Sequence, residues 1–145
     1  MPNPEKAKVI FNSGLNCAQA ILLTFTERYH LDKELAVKIT CGFGGGMAGM
    51  QESCGAFTGS IMVIGLAKTN KELDNPTNKE IVYHYISEFT KRFKEKYPST
   101  LCREILNCNL NSEEGYKTYE DMNLRDTVCA ECVACSVTLL DELLK

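Results

Sequence analysis

One stretch, from Cys41 to Gly65, constrains the fold of this chain more than any other, and its sequence is CGFGGGMAGMQESCGAFTGSIMVIG. Five of the eight residues in 42–49 are glycine, which indicates a backbone that takes positive φ or lies very close to another group. The apolar run at 55–67 is too short for a membrane span, which needs about 20 residues. Because this run is apolar on nearly all sides, it predicts a helix buried in the middle of the fold and capped by Ser53.

Apolar residues elsewhere in the chain recur at helical rather than strand spacing. Asn16, Asp32 and Ser112 are typical N-cap residues before such segments, and Gln19 completes a capping-box pattern with Asn16. The longest predicted helix spans 77–97, and its apolar stripe consists of Ile81, Val82, Tyr85, Ile86, Phe89 and Phe93. No segment alternates apolar and polar residues as a half-buried strand does. We therefore predict an all-α fold, a compact bundle of about six to eight helices around the central helix.

Size and charge narrow the class of protein further. A chain of 145 residues suits one domain, and we expect a single helical domain over 1–145. The net charge is −3, and the only basic stretch is 91–96, so nucleic-acid binding is not expected. The first residues lack the apolar core of a signal peptide, and no transmembrane run or lipidation signature is present. We expect a cytoplasmic protein without membrane insertion.

Eight cysteines are the second unusual feature of the chain. In a reducing compartment such a number does not indicate a framework of structural disulfides. It indicates metal binding, redox chemistry or buried inert thiols.

Four of these cysteines fall within the first turn of a predicted helix, behind a residue of N-cap type. They are Cys17 behind Asn16, Cys54 behind Ser53, Cys102 behind Ser99 or Thr100, and Cys129 behind Asp126 or Thr127. Free amides and partial positive charge at a helix start favour the thiolate, which is both nucleophile and metal ligand. If the four helix starts point at one place, they form a shared site. The backbone of Gly44, Gly45, Gly46 and Gly55 would then line it.

The spacing of these four cysteines, 37, 48 and 27 positions apart, is unlike that of a zinc knuckle. Cys129, Cys132 and Cys135 form two C-x-x-C steps, but the βαβ setting of a thioredoxin is missing. Cys132 lies one turn beyond Cys129 and is the candidate substitute ligand. We expect Cys41, Cys108 and Cys135 to be small apolar packing residues.

The segment 44–49 also matches the pattern G-x-G-x-x-G. A dinucleotide site needs a strand before this pattern and an acidic residue about 20 positions after it. A predicted helix precedes it instead, and no acidic residue occurs between Ser53 and Lys71. No nucleotide cofactor is expected.

Four motifs in chain order, GLNCAQAIL, GFGGGMAGMQESCGAFTG, LCREILN and VCAECV, resemble the family called C_GCAxxG_C_C. Its C-G-A-x-x-G signature corresponds to residues 54–59. The resemblance, which covers nearly the whole chain, implies a redox-active protein with four motif cysteines, which fall on Cys17, Cys54, Cys102 and Cys129. It also implies another redox protein or a transporter as partner. The other four cysteines look like additions of this sequence.

Three classes of function remain open at this point. The first is an oxidoreductase or electron carrier that cycles between dithiol and disulfide or uses an iron–sulfur cluster. The second is a non-catalytic module in which the four thiolates bind zinc or another soft metal. The third, which the glycine turn disfavours, is a plain helical scaffold whose cysteines are mostly inert. The central helix could pack within one chain or across a homo-oligomer, and the sequence does not choose between them.

Overall fold

The computed structural model describes residues 2–145 and shows an all-α architecture. Its eight helices are α1 Pro4–Asn12, α2 Cys17–Phe25, α3 Lys33–Thr40, α4 Gly55–Lys68, α5 Thr77–Lys96, α6 Cys102–Leu106, α7 Glu113–Asp121 and α8 Ala130–Leu143. A 3₁₀ turn, Cys41–Phe43, follows α3, and a π-helical turn, Arg125–Cys129, leads directly into α8. The described residues contain no strand beyond one isolated bridge between Ser53 and Leu101. The predicted all-α bundle is confirmed.

Side chains cap the helices largely where the sequence predicts. Asn16 and Gln19 form the complete capping box at the start of α2. The Asp32 carboxylate accepts from the Leu35 amide, and the Ser112 hydroxyl accepts from the Gly115 amide. These caps satisfy amides that would otherwise lack a partner at the first turn.

Two helix boundaries differ from the prediction. The helical apolar pattern that begins at Cys17 predicts a helix to about Tyr29, but α2 ends at Phe25. There the Leu31 amide turns back to the Thr26 carbonyl and His30 takes a positive φ of 55°. The N-cap of α6 is Leu101 rather than Ser99 or Thr100. The Ser99 hydroxyl accepts from the Leu101 amide, which precedes the first helical residue, Cys102.

The central helix α4 packs against α2, α5 and α8, as its apolar composition predicts. Ala56, Val63 and Ile64 on α4 are fully buried. Phe57 contacts Phe89 and Phe93 of α5, with ring centroids 6.1 and 5.9 Å apart.

The predicted apolar stripe of α5 is buried only in its second half. Phe89 and Phe93 are fully buried, whereas Ile81 is 42% exposed. The first turns of α5 therefore extend beyond the core that α4 and α8 cover. Among the helices of residues 2–145, none has the length and apolarity needed to cross a membrane.

The contact between α2 and α4 is close enough to require glycine at position 59. A Cβ atom built on Gly59 would lie 3.0 Å from the Ala18 carbonyl oxygen and 3.0 Å from the Ile21 Cβ. The backbone of α2 cannot retreat without disturbing its own helix. By contrast, a Cβ on Gly65, one and a half turns further along α4, would meet nothing within 4 Å.

These two glycines form a matched pair for a stability test. Gly59→Ala should lower the free energy of unfolding by about 1–3 kcal/mol, because the added methyl group overpacks the helix contact. Gly65→Ala should raise it by about 0.5–1 kcal/mol through helix propensity alone. Urea unfolding of the reduced protein, followed by circular dichroism, measures both values. Equal effects of the two substitutions would contradict the packing described here.

Candidate functional site

A cavity of about 90 Å³ lies where α2, α4, α6 and the π-helical turn approach one another. Five of the eight cysteines line it, namely Cys17, Cys54, Cys102, Cys129 and Cys132. The remaining wall is formed by Phe11, Asn16, Gly45, Gly46, Gly55, Ile105, Leu106, Leu110, Tyr119 and Arg125. The four cysteines selected from the sequence therefore come together, and Cys132 joins them. Cys41, Cys108 and Cys135 lie outside this cavity.

Three of the four predicted cysteines do lie at helix starts. Cys17 and Cys102 are the first residues of α2 and α6. Cys54 is itself the N-cap of α4. The prediction made Ser53 the N-cap and placed Cys54 in the first turn, but Ser53 does not cap the helix. Ser53 lies instead in the antiparallel bridge, where the Cys54 amide donates to the Thr100 carbonyl and the Cys102 amide donates to the Glu52 carbonyl. This bridge fixes the starts of α4 and α6 side by side.

The prediction that Cys129 lies beside the free amides of a helix start is wrong. Cys129 is the last residue of the π-helical turn, and the next amide, that of Ala130, donates to the Arg125 carbonyl. The turn continues smoothly into α8, so no row of free amides faces the Cys129 sulfur. Neither Asp126 nor Thr127 acts as the predicted cap, since the Thr127 hydroxyl donates back to the Asn123 carbonyl. Other groups must determine the ionisation of Cys129.

The glycine-dense segment forms a left-handed turn beside the cavity. Five consecutive residues, 45–49, have φ between 52° and 77°. The Gln51 and Glu52 amides donate back to the Gly45 and Gly46 carbonyls. A Cβ on Gly46 would lie 2.7 Å from the Cys102 Cβ, so the backbone itself presses against a site cysteine there. Of the four glycines expected at the site, Gly45, Gly46 and Gly55 line the cavity, whereas Gly44 packs against Asn16.

Gln51 is a structural residue of the site that the sequence did not reveal. Its side chain is 3% exposed, and its amide nitrogen donates to the Cys108 carbonyl at 2.9 Å. The same nitrogen lies 4.0 Å from the Cys102 sulfur, and the amide oxygen accepts from the Leu110 amide. Gln51 thus ties the segment after α6 to the glycine turn. Only its position directly after that turn could have drawn attention to it.

Cys17 and Cys129 form the first thiol pair. The hydrogen bond between them raises the pKa of Cys17 well above its ordinary value and lowers the pKa of Cys129. The Arg125 charge and the Tyr119 hydroxyl lower the pKa of Cys129 further, while burial and the neighbouring thiol of Cys54 oppose the shift. Of the two sulfurs, Cys129 is the one that ionises more readily.

Cys54 and Cys132 form the second pair, and it is more deeply buried. Their hydrogen bond lowers the pKa of Cys54 and raises the pKa of Cys132 well above its usual range. The backbone amides of Ala56 and Phe57 at the start of α4 also lower the pKa of Cys54. This part of the helix-start prediction therefore agrees with the electrostatics of the site.

Cys102 faces both pairs without belonging to either. Burial raises the pKa of Cys102 to about 12, and the neighbouring thiols of Cys54 and Cys129 add to this increase. Cys102 is consequently a protonated thiol at neutral pH.

Arg125 supplies the positive charge among the described residues that line the cavity. Its guanidinium stacks on the Phe11 ring, 3.9 Å from the centroid, and donates to the Phe11 carbonyl at 2.8 Å. These two contacts hold it beside Cys129. Nearby, burial raises the pKa of Tyr119 to about 12, so this hydroxyl remains protonated and can donate to sulfur.

All eight cysteines are free thiols in this structure. Within residues 2–145, no three or more His, Cys, Asp or Glu side chains are grouped as a metal ion would need them. The predicted iron–sulfur or zinc site thus stays a prediction.

A comparison with protein-family models decides the family. The model described as "Putative redox-active protein (C_GCAxxG_C_C)" matches residues 15–143. The chain belongs to this family. No curated protein and no solved structure was found to match it.

The charge assignment of the first pair predicts the order of alkylation. Cys17 and Cys129 are both partly buried, so accessibility alone would make them react similarly. With iodoacetamide at pH 7, the reduced protein should be modified at Cys129 before Cys17, since the lower pKa gives more thiolate. Mass spectrometry of the peptides over a pH series measures both rates.

Substitutions in the same experiment identify the cause. Cys17→Ala removes the largest contribution that lowers the pKa of Cys129, so the alkylation profile of Cys129 should move to higher pH. Arg125→Met should move it in the same direction by a smaller amount. Cys41→Ser, at an exposed position outside the cavity, is the control and should change nothing. Faster alkylation of Cys17 than of Cys129 would refute this account of the pair.

Proposed function

We propose that this redox-active family member carries out dithiol–disulfide exchange with two cysteine pairs, Cys17/Cys129 and Cys54/Cys132. The observation that carries the proposal is the convergence of these four cysteines on one cavity, where the neighbouring thiol in each pair lowers the pKa of one cysteine and raises the pKa of the other. A thiolate is the attacking group in disulfide exchange, and a neighbouring thiol is needed to release the product. Each pair provides both.

The first pair is the better candidate for contact with the substrate. Cys17 and Cys129 are partly exposed, whereas Cys54 and Cys132 are buried. In the proposed step the Cys129 thiolate attacks one sulfur of a disulfide substrate and displaces the other sulfur as a thiolate. The Cys17 thiol then loses its proton and attacks Cys129, which forms the Cys17–Cys129 disulfide. The substrate leaves with two electrons and two protons.

Arg125 and Tyr119 have supporting roles in this step. Arg125, fixed by the Phe11 ring and carbonyl, favours the charged form of Cys129 before attack. The Tyr119 hydroxyl donates to the same sulfur and stabilises the same form. Neither group exchanges electrons, and both act by placing positive potential beside the nucleophile.

The convergence of five cysteines also favours a second candidate, a site for a thiophilic metal or an iron–sulfur cluster. Four of Cys17, Cys54, Cys102, Cys129 and Cys132 would supply the ligand set that such centres use. Such a centre would make the chain an electron carrier or a metal-binding module. Purification without oxygen, followed by metal and sulfide analysis, separates this candidate from the first. Stoichiometric iron or zinc that blocks alkylation of these cysteines would replace dithiol exchange as the function.

The dithiol proposal predicts which disulfides form. Diamide, a diazene that accepts two electrons and two protons from a dithiol, should convert the reduced protein to a form with Cys17–Cys129 and Cys54–Cys132 bonds. Peptide mapping without reduction identifies both. Cys17→Ser should abolish the first bond and leave the second, because the pairs are separate.

Cys108→Ser is the control, since Cys108 contacts the site region but belongs to neither pair. It should leave both disulfides unchanged. Loss of no thiols under diamide, or random bonds that include Cys41 and Cys108, would overturn the proposal.

A further inference from the structure

One cysteine, Cys135, has no part in the proposed dithiol site, yet it lies on the same helix as two site cysteines. Cys129, Cys132 and Cys135 follow one another at intervals of three residues along the π-helical turn and α8. Residues three apart on a helix are neighbours on its surface. The three sulfurs therefore form an oblique row across α8 rather than three unrelated positions.

This row passes from the inner cavity to a separate surface groove. Cys132 lines the cavity and is 1% exposed, whereas Cys135 lines the groove and is partly exposed. The groove has a volume of about 690 Å³ and runs between the end of α5 and α8. It is far larger than the cavity of about 90 Å³.

Tyr97 forms part of the wall between the two spaces. It lines the groove together with Cys135, and it packs against the core cluster that contains Cys132. Its ring contacts the Phe93 ring, with centroids 5.0 Å apart, which holds the side chain in place. A side chain at the groove thus lies against the part of the core that contains the buried sulfur.

We propose that Cys135 is the thiol through which the buried Cys54–Cys132 pair exchanges disulfide with thiols in the groove. The proposal rests on the dithiol function given above and adds the route by which an inner pair is reduced. Reductants too large for the cavity, such as a peptide or protein thiol, are the class of reactant that this route serves.

External thiols are the only reductant that this exchange needs. Deprotonated Cys135 attacks the Cys132 sulfur of the Cys54–Cys132 disulfide, so that bond breaks and a Cys132–Cys135 bond forms. Cys54 leaves as a thiolate and takes up the proton that Cys135 released. An external thiol then attacks the Cys135 sulfur from the groove, which breaks the Cys132–Cys135 bond and releases Cys132 as a thiol. A second external thiol attacks the outer sulfur of the mixed disulfide and releases Cys135 as a thiol. The external thiols become a disulfide and the protein gains two electrons and two protons.

Backbone geometry permits the internal step. Cα atoms three residues apart in a helix lie within the range of about 4.4–6.8 Å that disulfides span. A change of side-chain rotamer and a small local adjustment of the helix bring the two sulfurs together. The preceding π-helical turn, Arg125–Cys129, already departs from regular helix geometry next to this segment.

The test compares two reductants of different size on the diamide-oxidised protein. Glutathione, a tripeptide, is too large for the cavity, whereas hydrosulfide is small enough to enter it. Samples quenched with N-ethylmaleimide at intervals give the loss of the Cys54–Cys132 disulfide by mass spectrometry. Cys135→Ser should slow reduction by glutathione at least about tenfold and leave reduction by hydrosulfide unchanged. Cys41→Ser is the matched control and should slow neither.

A second measurement uses the wild-type protein and does not depend on the folding of a variant. During reduction by glutathione, the wild type should transiently contain a Cys132–Cys135 disulfide and a Cys135–glutathione adduct. Equal glutathione rates in wild type and Cys135→Ser, or an adduct only at Cys17 or Cys129, would overturn this inference alone. Absence of the Cys54–Cys132 disulfide from the diamide-oxidised wild type would overturn the proposed function and this inference with it.

Discussion

The close pairing of thiols in a small, mostly apolar cavity is the interaction on which the site depends. Two adjacent thiolates in such a place repel each other and lose solvation, so ionisation of one thiol opposes ionisation of its partner. The neighbouring thiol lowers the pKa of Cys129 and Cys54 and raises the pKa of Cys17 and Cys132. Burial alone would have raised the pKa of all four. In the proposed exchange, each pair therefore supplies one nucleophilic and one resolving thiol.

Backbone strain beside the cavity is consistent with a functional role for the glycine segment. Met47 and Ala48 take left-handed conformations, which cost a residue with a Cβ about 1–2 kcal/mol each. Hydrogen bonds from Ala48, Gly49, Gln51 and Glu52 back to carbonyls of residues 42–46 offset part of that cost. The turn brings Gly46 against Cys102 and directs the chain into the bridge that aligns α4 with α6. A surface loop without such a task would not retain this conformation.

Much of the fold follows from local sequence patterns within single helices. N-cap residues and apolar stripes predict α2, α3, α5 and α7 because those features act within one helix. The burial of α4 followed from its composition. The boundaries that went wrong depend on distant contacts. The bridge between Ser53 and Leu101 displaced two expected caps, and the first turns of α5 extend beyond the core. The single-domain organisation over 1–145 stays a prediction.

The candidate site divides in the same way. Helix-start reasoning and the family resemblance both selected Cys17, Cys54, Cys102 and Cys129, and all four line the cavity. The pairing could not be predicted, because it depends on how the tertiary fold brings Cys17 near Cys129, the last residue of the π-helical turn, and Cys54 near Cys132, three residues later. That turn has no signature in RDTVC that distinguishes it from an ordinary first turn. The role of Gln51 could not be predicted either, since it depends on carbonyl and amide groups more than 50 positions away.

Dithiol exchange and metal binding require different numbers of negative charges in the cavity. Arg125 is the one cation among the described residues that line the cavity, and it lies beside Cys129. That charge lowers the pKa of Cys129, and the amides at the start of α4 lower the pKa of Cys54. Four thiolates would require additional positive charge, which a bound soft metal ion would bring with it. Cys102, with a pKa of about 12, is the sulfur that distinguishes the two cases. It stays protonated beside two dithiol pairs and would ionise only as a ligand. The protonation state of this one residue therefore reports whether the cavity acts as two exchange units or as one metal centre.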